Sequence, residues 1–358
     1  MSTVQVDTIN ESTTGSGVTV DGVLIKDSAI NASSVSGINR KNVIINGNFD
    51  IWQRGTSVTG QTSDQYLADR WYFVDSGATY SYQQGSFTVG QTDVPNNPKY
   101  FANLTITGAD DSARLEQRIE DVYTFAGETV TLSFYAKYTS NAPTDFDVQI
   151  FQYFGSGGST SVLTTAATGQ TLTTSWQKFT YTISVPSISG KTVGSGSYLT
   201  IRPVINTNNE TFDYQLAQVQ VEKGSVATDF EIRPIGEELS LCQRYFYKTF
   251  APEQTPVSNI SNDNYIMVLG YTGAGSVSTS QQHPVQMASP PTITTFNPYA
   301  ANSNARKLNS STDLAITTIS VNTNKLYFYI SGTNAHSIHL HWTAEAELWL
   351  IQSLTHTT

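Results

Sequence analysis

Between Asn42 and Glu231 apolar and polar residues alternate in short runs, at Thr129–Tyr135, Phe146–Phe151, Phe179–Val185 and Tyr198–Val204, separated by Gly, Asn, Asp and Pro. A period of two puts successive side chains on opposite faces of an extended chain, so each run predicts a half-buried β-strand. Several such strands in a row predict a β-sandwich. The polar faces are built without many charges: 13% of residues are charged, against roughly 25% in an average soluble domain. Ser, Thr, Asn, Gln and Gly must supply the rest, and with 19 Tyr and 16 Phe they suit pleated antiparallel sheets. At 358 residues the chain exceeds the roughly 250 to 300 at which single cores stop growing, so two packed domains and a smaller segment are expected.

The segments around the sandwich read differently. Val18-Thr19-Val20 and Val23-Leu24-Ile25 flank Asp21-Gly22, and an Asp-Gly pair between apolar runs predicts a hairpin. Residues 1–41 hold too few apolar groups to order alone, so this part is expected to be ordered against partner chains. The five residues Gly155-Ser156-Gly157-Gly158-Ser159 predict a flexible loop. In Gly236–Lys248 the spacing of Leu239, Cys242 and Phe246, with Glu237 and Glu238 early and Arg244 and Lys248 late, predicts a short amphipathic helix. Two or three turns need external packing, and three copies around an axis are the expected partner. Strands return at Asn264–Tyr271, Lys325–Ile330 and His336–Leu350. The expected order is therefore an N-terminal segment at 1–41, a sandwich at 42–232, a trimerising helix at 233–248 and a β tip at 249–358.

Charge and cysteine content narrow the partners. A net charge of −10 opposes a polyphosphate backbone, so nucleic acid is not an expected partner. Cys242 is the single cysteine, which excludes an intrachain disulfide and reads as a small buried apolar residue. The start Met1-Ser2-Thr3-Val4-Gln5 lacks the basic and apolar regions of a secretory signal, and no run of about 20 apolar residues predicts membrane insertion.

Four stretches carry a resemblance: Asn46-Gly47-Asn48-Phe49-Asp50-Ile51-Trp52-Gln53-Arg54-Gly55, Ala68-Asp69-Arg70-Trp71, Gln218 to Gly224, and Leu241-Cys242-Gln243-Arg244-Tyr245-Phe246. Together they resemble bacteriophage tail-fibre and prophage fibre proteins. The resemblance implies a jelly-roll domain similar to carbohydrate-binding modules, a short helix and a C-terminal tip, in an intertwined homotrimer. Val6 to Glu11 and Gly17 to Val23 look like virion-attachment segments, implying tail or baseplate proteins as partners of residues 1–41. The pieces His283 to Pro291 and Ala344 to Leu348 are similar to fibre tips. The resemblance further implies a virion protein assembled in the host cytoplasm that adheres to bacterial surface polysaccharide, without catalysis and without a required cofactor. The alternatives are a structural virion protein that binds no glycan and a glycan-depolymerising fibre.

Sugars are held by aromatic faces with planar polar groups beside them. Trp52, Arg54, Tyr66, Asp69, Arg70, Trp71 and Tyr72 offer that chemistry in a short span, and Tyr153 joins them beside the Gly/Ser loop. The alternative is that the two tryptophans pack in the interior and Asp69 and Arg70 form a structural pair. Trp176 resembles a packing tryptophan of such sandwiches and stays outside the candidate set. The resemblance also implies a bracing Ca²⁺, with Asn48, Asp50 and Glu222 as candidate ligands, although these oxygens are few for that ion. His339 and His341 share a strand face; on a trimer axis three such pairs could ligate a transition metal, and otherwise they are polar residues opposite Ile338, Leu340 and Trp342. Asp110, Asp111, Glu116, Glu120 and Asp121 are the acidic group a depolymerase would use. Light scattering on the purified chain is expected to give a mass near three times 39.1 kDa; a stable monomer would discard the axial helix and the axial histidines.

Overall fold

The computed structural model describes residues 18–20, 23–26, 29–30, 41–75, 77, 79–107, 112–143, 145–206, 211–260, 266–269, 276–308, 311–331 and 337–348. At the N-terminus β1 (Val18–Val20) pairs antiparallel with β2 (Val23–Lys26), which pairs with β3 (Ala29–Ile30). Asp21 and Gly22, where the hairpin turn is expected, and the rest of residues 1–40 lie outside the described residues.

Twelve strands build the sandwich: β4 (Ser57–Gln61), β5 (Gln65–Tyr66), β6 (Tyr72–Asp75), β7 (Thr79–Ser86), β8 (Tyr100–Thr107), β9 (Ser112–Glu116), β10 (Thr129–Lys137), β11 (Asp145–Tyr153), β12 (Val162–Gln170), β13 (Gln177–Ser184), β14 (Tyr198–Asn206) and β15 (Phe212–Lys223). They form two six-stranded antiparallel sheets, in the orders β13-β10-β15-β8-β7-β4 and β12-β11-β14-β9-β6-β5. This is the jelly-roll β-sandwich. The alternation seen in the sequence explains the layers: Val130, Leu132 and Phe134 of β10 and Leu104 and Ile106 of β8 point inward against Val148 and Ile150 of β11 and Leu199 and Ile201 of β14. Their burial is the main favourable term of the fold.

The central strand β15 is buried on both faces. Its inner residues Phe212, Tyr214, Leu216, Val219 and Val221 enter the core. Its outer residues are polar and are covered by neighbouring segments. Asp213 accepts bonds from the backbone of Thr139, Ser140 and Asn141, and Glu222 accepts from Thr228 Oγ1 at 2.7 Å. These two carboxylates are thereby satisfied, whereas Gln215 Oε1 on the same face is buried without a hydrogen-bond partner.

The Asn46–Trp52 motif plugs one end of the sandwich. Asn46, at φ 56°, folds the chain back by bonding Ile51 at both its amide and carbonyl. Trp71 Nε1 donates to Asn46 O at 2.9 Å, and Phe49 stacks on Trp71 at 4.9 Å. A side chain on Gly47 would collide with the carbonyl of Val219, so glycine is required there by close approach.

After the sandwich, α1 (Ile235–Gln243) is one short helix, and β16 (Phe246–Lys248) follows it. The expected helix over Gly236–Lys248 thus stops at Gln243, and Phe246 sits on a strand. The tip adds β17 (Ile266–Leu269), β18 (Ser276–Gln282), β19 (Thr292–Phe296), β20 (Ala305–Lys307), β21 (Thr312–Leu314), β22 (Ile316–Val321), β23 (Lys325–Ser331) and β24 (Ser337–Glu345). β24 is the organiser, pairing with β16, β17, β19 and β20. Its Ile338, Leu340 and Trp342 pack on Leu326, Phe328 and Ile330 of β23, which lies in a second sheet ordered β18-β23-β22. No helix among the described residues is long and apolar enough to cross a membrane.

Sandwich and tip meet through buried charge. Arg70 and Glu347 form an ion pair with side-chain exposures of 1% and 0%, and Glu347 also faces Arg54 at 3.2 Å. Arg70 lies over the Tyr245 ring at 3.4 Å and Arg54 over the Phe246 ring at 3.8 Å. Gln53 Nε2 donates to Phe246 O at 2.8 Å. Removing one partner of such a pair strands the other charge in a dry seam, at a cost of about 3 to 5 kcal/mol. Glu347→Ala is therefore expected to lower the unfolding free energy by about that amount in urea denaturation, and a loss below about 1 kcal/mol would show that the seam is effectively solvated.

Candidate functional site

The structure places the sequence-predicted sugar contacts in the interior. Trp52, Tyr66, Asp69, Arg70, Trp71 and Tyr72 are buried, Trp71 with 2% exposure, and the Arg54 side chain is 11% exposed within the seam. Asp69 accepts Gln53 N at 2.9 Å and lies 4.0 Å from Arg54; burial lifts its carboxyl to about 6 against the pull of Arg54 and Gln53. Tyr66 and Tyr72 pack on each other at 4.6 Å. These faces are covered by protein, so no sugar ring reaches them. Tyr153 is half-buried and leans on Tyr198 at 5.0 Å. The Gly155–Ser159 loop beside it is pinned rather than loose: Ser156 and Ser195 exchange backbone bonds, and side chains on Gly155 or Gly158 would strike neighbouring backbone.

The candidate metal sets fare similarly. Asp50 is tied to Asn48 Nδ2 at 2.9 Å, while Glu222 receives Gln220 Nε2, Thr228 N and Thr228 Oγ1. Asn48 Oδ1 is buried without a hydrogen-bond partner, and a calcium ion, which takes six to eight oxygens, would need ligands beyond these three residues. No group of three or more His, Cys, Asp or Glu that could hold a metal occurs among the described residues. The expected axial stripe packs within its own chain: Cys242 and Phe246 are buried and Leu239 is half-buried.

His339 and His341 do lie on one face of β24, opposite the core residues Ile338, Leu340 and Trp342. That face is filled from the same chain. His341 Nδ1 meets Thr249 Oγ1 at 2.9 Å and its ring stacks on Phe250 at 4.1 Å, while His339 Nδ1 meets Tyr299 Oη at 3.0 Å. Burial, with His339 adding, pushes His341 down from 6.5 to about 4. Between those values the unfolded chain binds a proton that the folded tip refuses, so stability falls as pH drops through this window, by up to about 3 kcal/mol. His341→Gln is expected to lose less stability than the parent between pH 7 and about 4.5 in denaturant titrations; an equal loss in both would refute the assignment.

The described surface offers a different aromatic platform, on the outer face of the β13-β10-β15-β8-β7-β4 sheet. Phe87, just after β7, Phe101 of β8 and Trp176, just before β13, are half-buried and mutually in contact at 4.9, 5.1 and 5.4 Å between ring centres. Phe101 faces Gly85 across the strand pair, and a side chain at Gly85 would occupy the space of the Phe101 ring. The glycine therefore lets the ring lie across the neighbouring strand. Val89 in the adjoining loop is fully exposed. Asn103 and Gln215 lie across from each other on β8 and β15, bonded at 3.3 Å, and Lys137 stands 5.3 Å from the Trp176 ring centre.

A shallow cleft of about 30 Å³ continues this strip, lined among others by Asn96, Ser133, Tyr135, Lys178, Gln218 and Asp229. A bulge builds it. Two β15 residues, Gln218 and Val219, oppose the single Phe134 of β10, and Gln218, at φ 48°, turns to donate to Pro95 O at 2.8 Å. Such bulges re-aim side chains. Burial first, and the Asp229 charge second, raise the Tyr135 hydroxyl above its usual range, which keeps it a neutral donor. Rings, amides, hydroxyls and an ammonium group thus share one strip. Sequence reasoning misses it because its members come from five separate places in the chain; the only local sign is Trp176, whose sequence setting resembles that of a packing tryptophan.

No family model matches the chain, and no curated protein matches it. Solved structures do. Tailspike protein 4 of bacteriophage CBA120, in its enzymatically active domain, is 16% identical over 51% of this chain and 21% of that one, with a TM-score of 0.31. The second xylan-binding domain of Paenibacillus barcinonensis Xyn10C is 16% identical over 47% of this chain and 98% of that one, TM-score 0.31. A cyclase from Fischerella sp. TAU, in complex with an indolyl butanone, is 13% identical over 52% and 99%, TM-score 0.35. At these scores the fold assignment rests on the strand order of the two sheets.

Proposed function

We propose that the chain is a non-catalytic subunit of a bacteriophage tail fibre that adheres to host-surface glycans through the outer face of its sandwich. The observation that carries this reading is the strip of half-buried Phe87, Phe101 and Trp176 with Asn103 and Tyr135 beside it, Asn103 being held from below by the buried Gln215. Flat apolar faces accept the C–H side of a sugar ring, and planar amides and hydroxyls bond its rim. The virion part of the reading is supported by the order of the fibre-like sequence motifs. Residues 1–41 would fasten the subunit to tail or baseplate proteins, and a homotrimer would present three strips at once. Weak contacts then sum by avidity, because the second and third are intramolecular.

The acidic group that a depolymerase would use is dispersed. Burial would raise Glu116, but Arg202, Arg118 and Arg114 overcome it and hold the carboxyl near 2, far from a general acid's range. Glu120 is bound by Arg244 at 2.9 Å and by Tyr245 at 2.8 Å, and Asp121 caps the Tyr123 amide at 2.9 Å. Asp110 and Asp111 lie outside the described residues. Trp176→Ala is expected to abolish binding of the full chain to host cells or their purified polysaccharide while shifting the melting temperature by under about 3 °C. Trp71→Ala is expected to destabilise by about 3 to 5 kcal/mol. Undiminished cell binding by the folded Trp176→Ala protein would overturn the reading in favour of a structural virion role.

A further inference from the structure

We propose that the glycan held on this strip is acidic, carrying a single negative charge on the unit that lies beside the cleft, and that Lys137 and Lys178 recognise it. This rests on the glycan-binding reading and adds the class of sugar.

The two lysines bring unanswered positive charge to the edge of the strip. The chain has a net charge of −10 and as a whole repels an anion, so attraction must come from a local imbalance. The arginines gathered around Glu116 and Glu347 lie elsewhere: Arg114 and Arg202 are on strands of the opposite sheet, sharing Glu116 with Arg118, and Arg54 and Arg70 face Glu347 in the seam. Arg233, Arg244, Arg306 and Lys223 are likewise paired. Lys99, near the strip, lies close enough to Asp50 to lower its pKa. Among the described residues neither Lys137 nor Lys178 has a carboxylate within the 4.0 Å of an ion pair. Lys191, Lys307 and Lys325 are in no ion pair there either, but Lys137 and Lys178 are the ones placed at Trp176 and the cleft.

Their placement gives that surplus a direction. Tyr135 and Lys137 are two apart on β10 and share its outer face. Lys178 is the cross-strand neighbour of Tyr135 and lines the cleft. Lys137 stands by Trp176 at 5.3 Å. A sugar ring resting on the aromatic trio therefore has an ammonium group at its rim, with a second beside the cleft. Asp229 opposes them in the same cleft, leaving two positive charges against one negative. That balance fits a monoanion. A phosphomonoester, nearer to −2 at neutral pH, meets repulsion from Asp229. Sugar carboxylates, sulfate esters and phosphodiesters each put a single negative charge on a glycan unit, and the first two serve as probes.

The test is calorimetric titration of the full-length chain with a neutral glucan hexasaccharide, a polyuronate hexasaccharide and a sulfated hexasaccharide. In about 20 mM salt at least one acidic probe is expected to bind roughly tenfold tighter than the neutral one, with the gap closing near 0.5 M. Which acidic probe wins identifies the source of the charge. The double variant Lys137→Gln/Lys178→Gln is expected to bring the acidic-to-neutral ratio close to one with an unchanged melting temperature. Equal binding of acidic and neutral probes by the parent, or an undiminished ratio in the double variant, overturns the charge preference and leaves the glycan reading standing. Failure of all three probes to bind overturns the glycan reading and this inference with it.

Discussion

A guanidinium and a carboxylate removed from water, Arg70 and Glu347, hold the two β modules against each other. Burying such a pair costs several kcal/mol per ion unless the remaining donors and acceptors are also met. The seam meets them in part: Tyr245 lies beneath Arg70 and Phe246 beneath Arg54, and the Arg118 carbonyl accepts from Arg70, while Arg70 Nε and Arg54 Nη1 are buried without a hydrogen-bond partner. This arrangement consumes the Trp52 to Tyr72 stretch of the chain. Residues whose chemistry suits a sugar are used instead to close one end of the sandwich and to receive the tip. The available surface then lies elsewhere.

Where it lies depends on how β15 is covered. The segment after β15 folds back over the outer face, with Glu231 N bonded to Gln220 Oε1 at 2.8 Å and Thr182 Oγ1 to Ser225 O at 3.1 Å. The loop at Thr139–Asn141 caps Asp213. Between those covers runs the strip of Phe101, Asn103, Gln215, Tyr135 and Lys137. Its shape is set by two backbone irregularities, the glycine at Gly85 and the bulge at Gln218. Both weaken regular pairing locally, and both direct a side chain that a regular sheet would have pointed elsewhere.

The β character and the short helix are legible in the sequence because they depend on periodicity within a few residues. Alternation in Thr129–Tyr135 means the same thing wherever that strand sits. Local spacing extends the helix too far, to Lys248, because Phe246 continues a helical pattern by coincidence. Its burial in the seam and pairing with Glu345 are tertiary effects that outweigh a local pattern. The Gly/Ser loop looks loose in the sequence for a related reason: composition does not reveal that Gly194 and Ser195 lie against it.

The sequence by itself determined the class of structure, the inward and outward faces of most strands, and the placement of His339 with His341 on one face of β24. Only the tertiary structure decided which aromatic residues remain accessible. Trp71 and Trp176 are chemically equivalent along the chain, and each sits among polar residues able to bond a sugar. One is enclosed by Phe49, Asn46 and the seam, the other is left beside Phe87 and Phe101 at the surface. Accessibility depends on segments far away in the chain, and no local spacing encodes it.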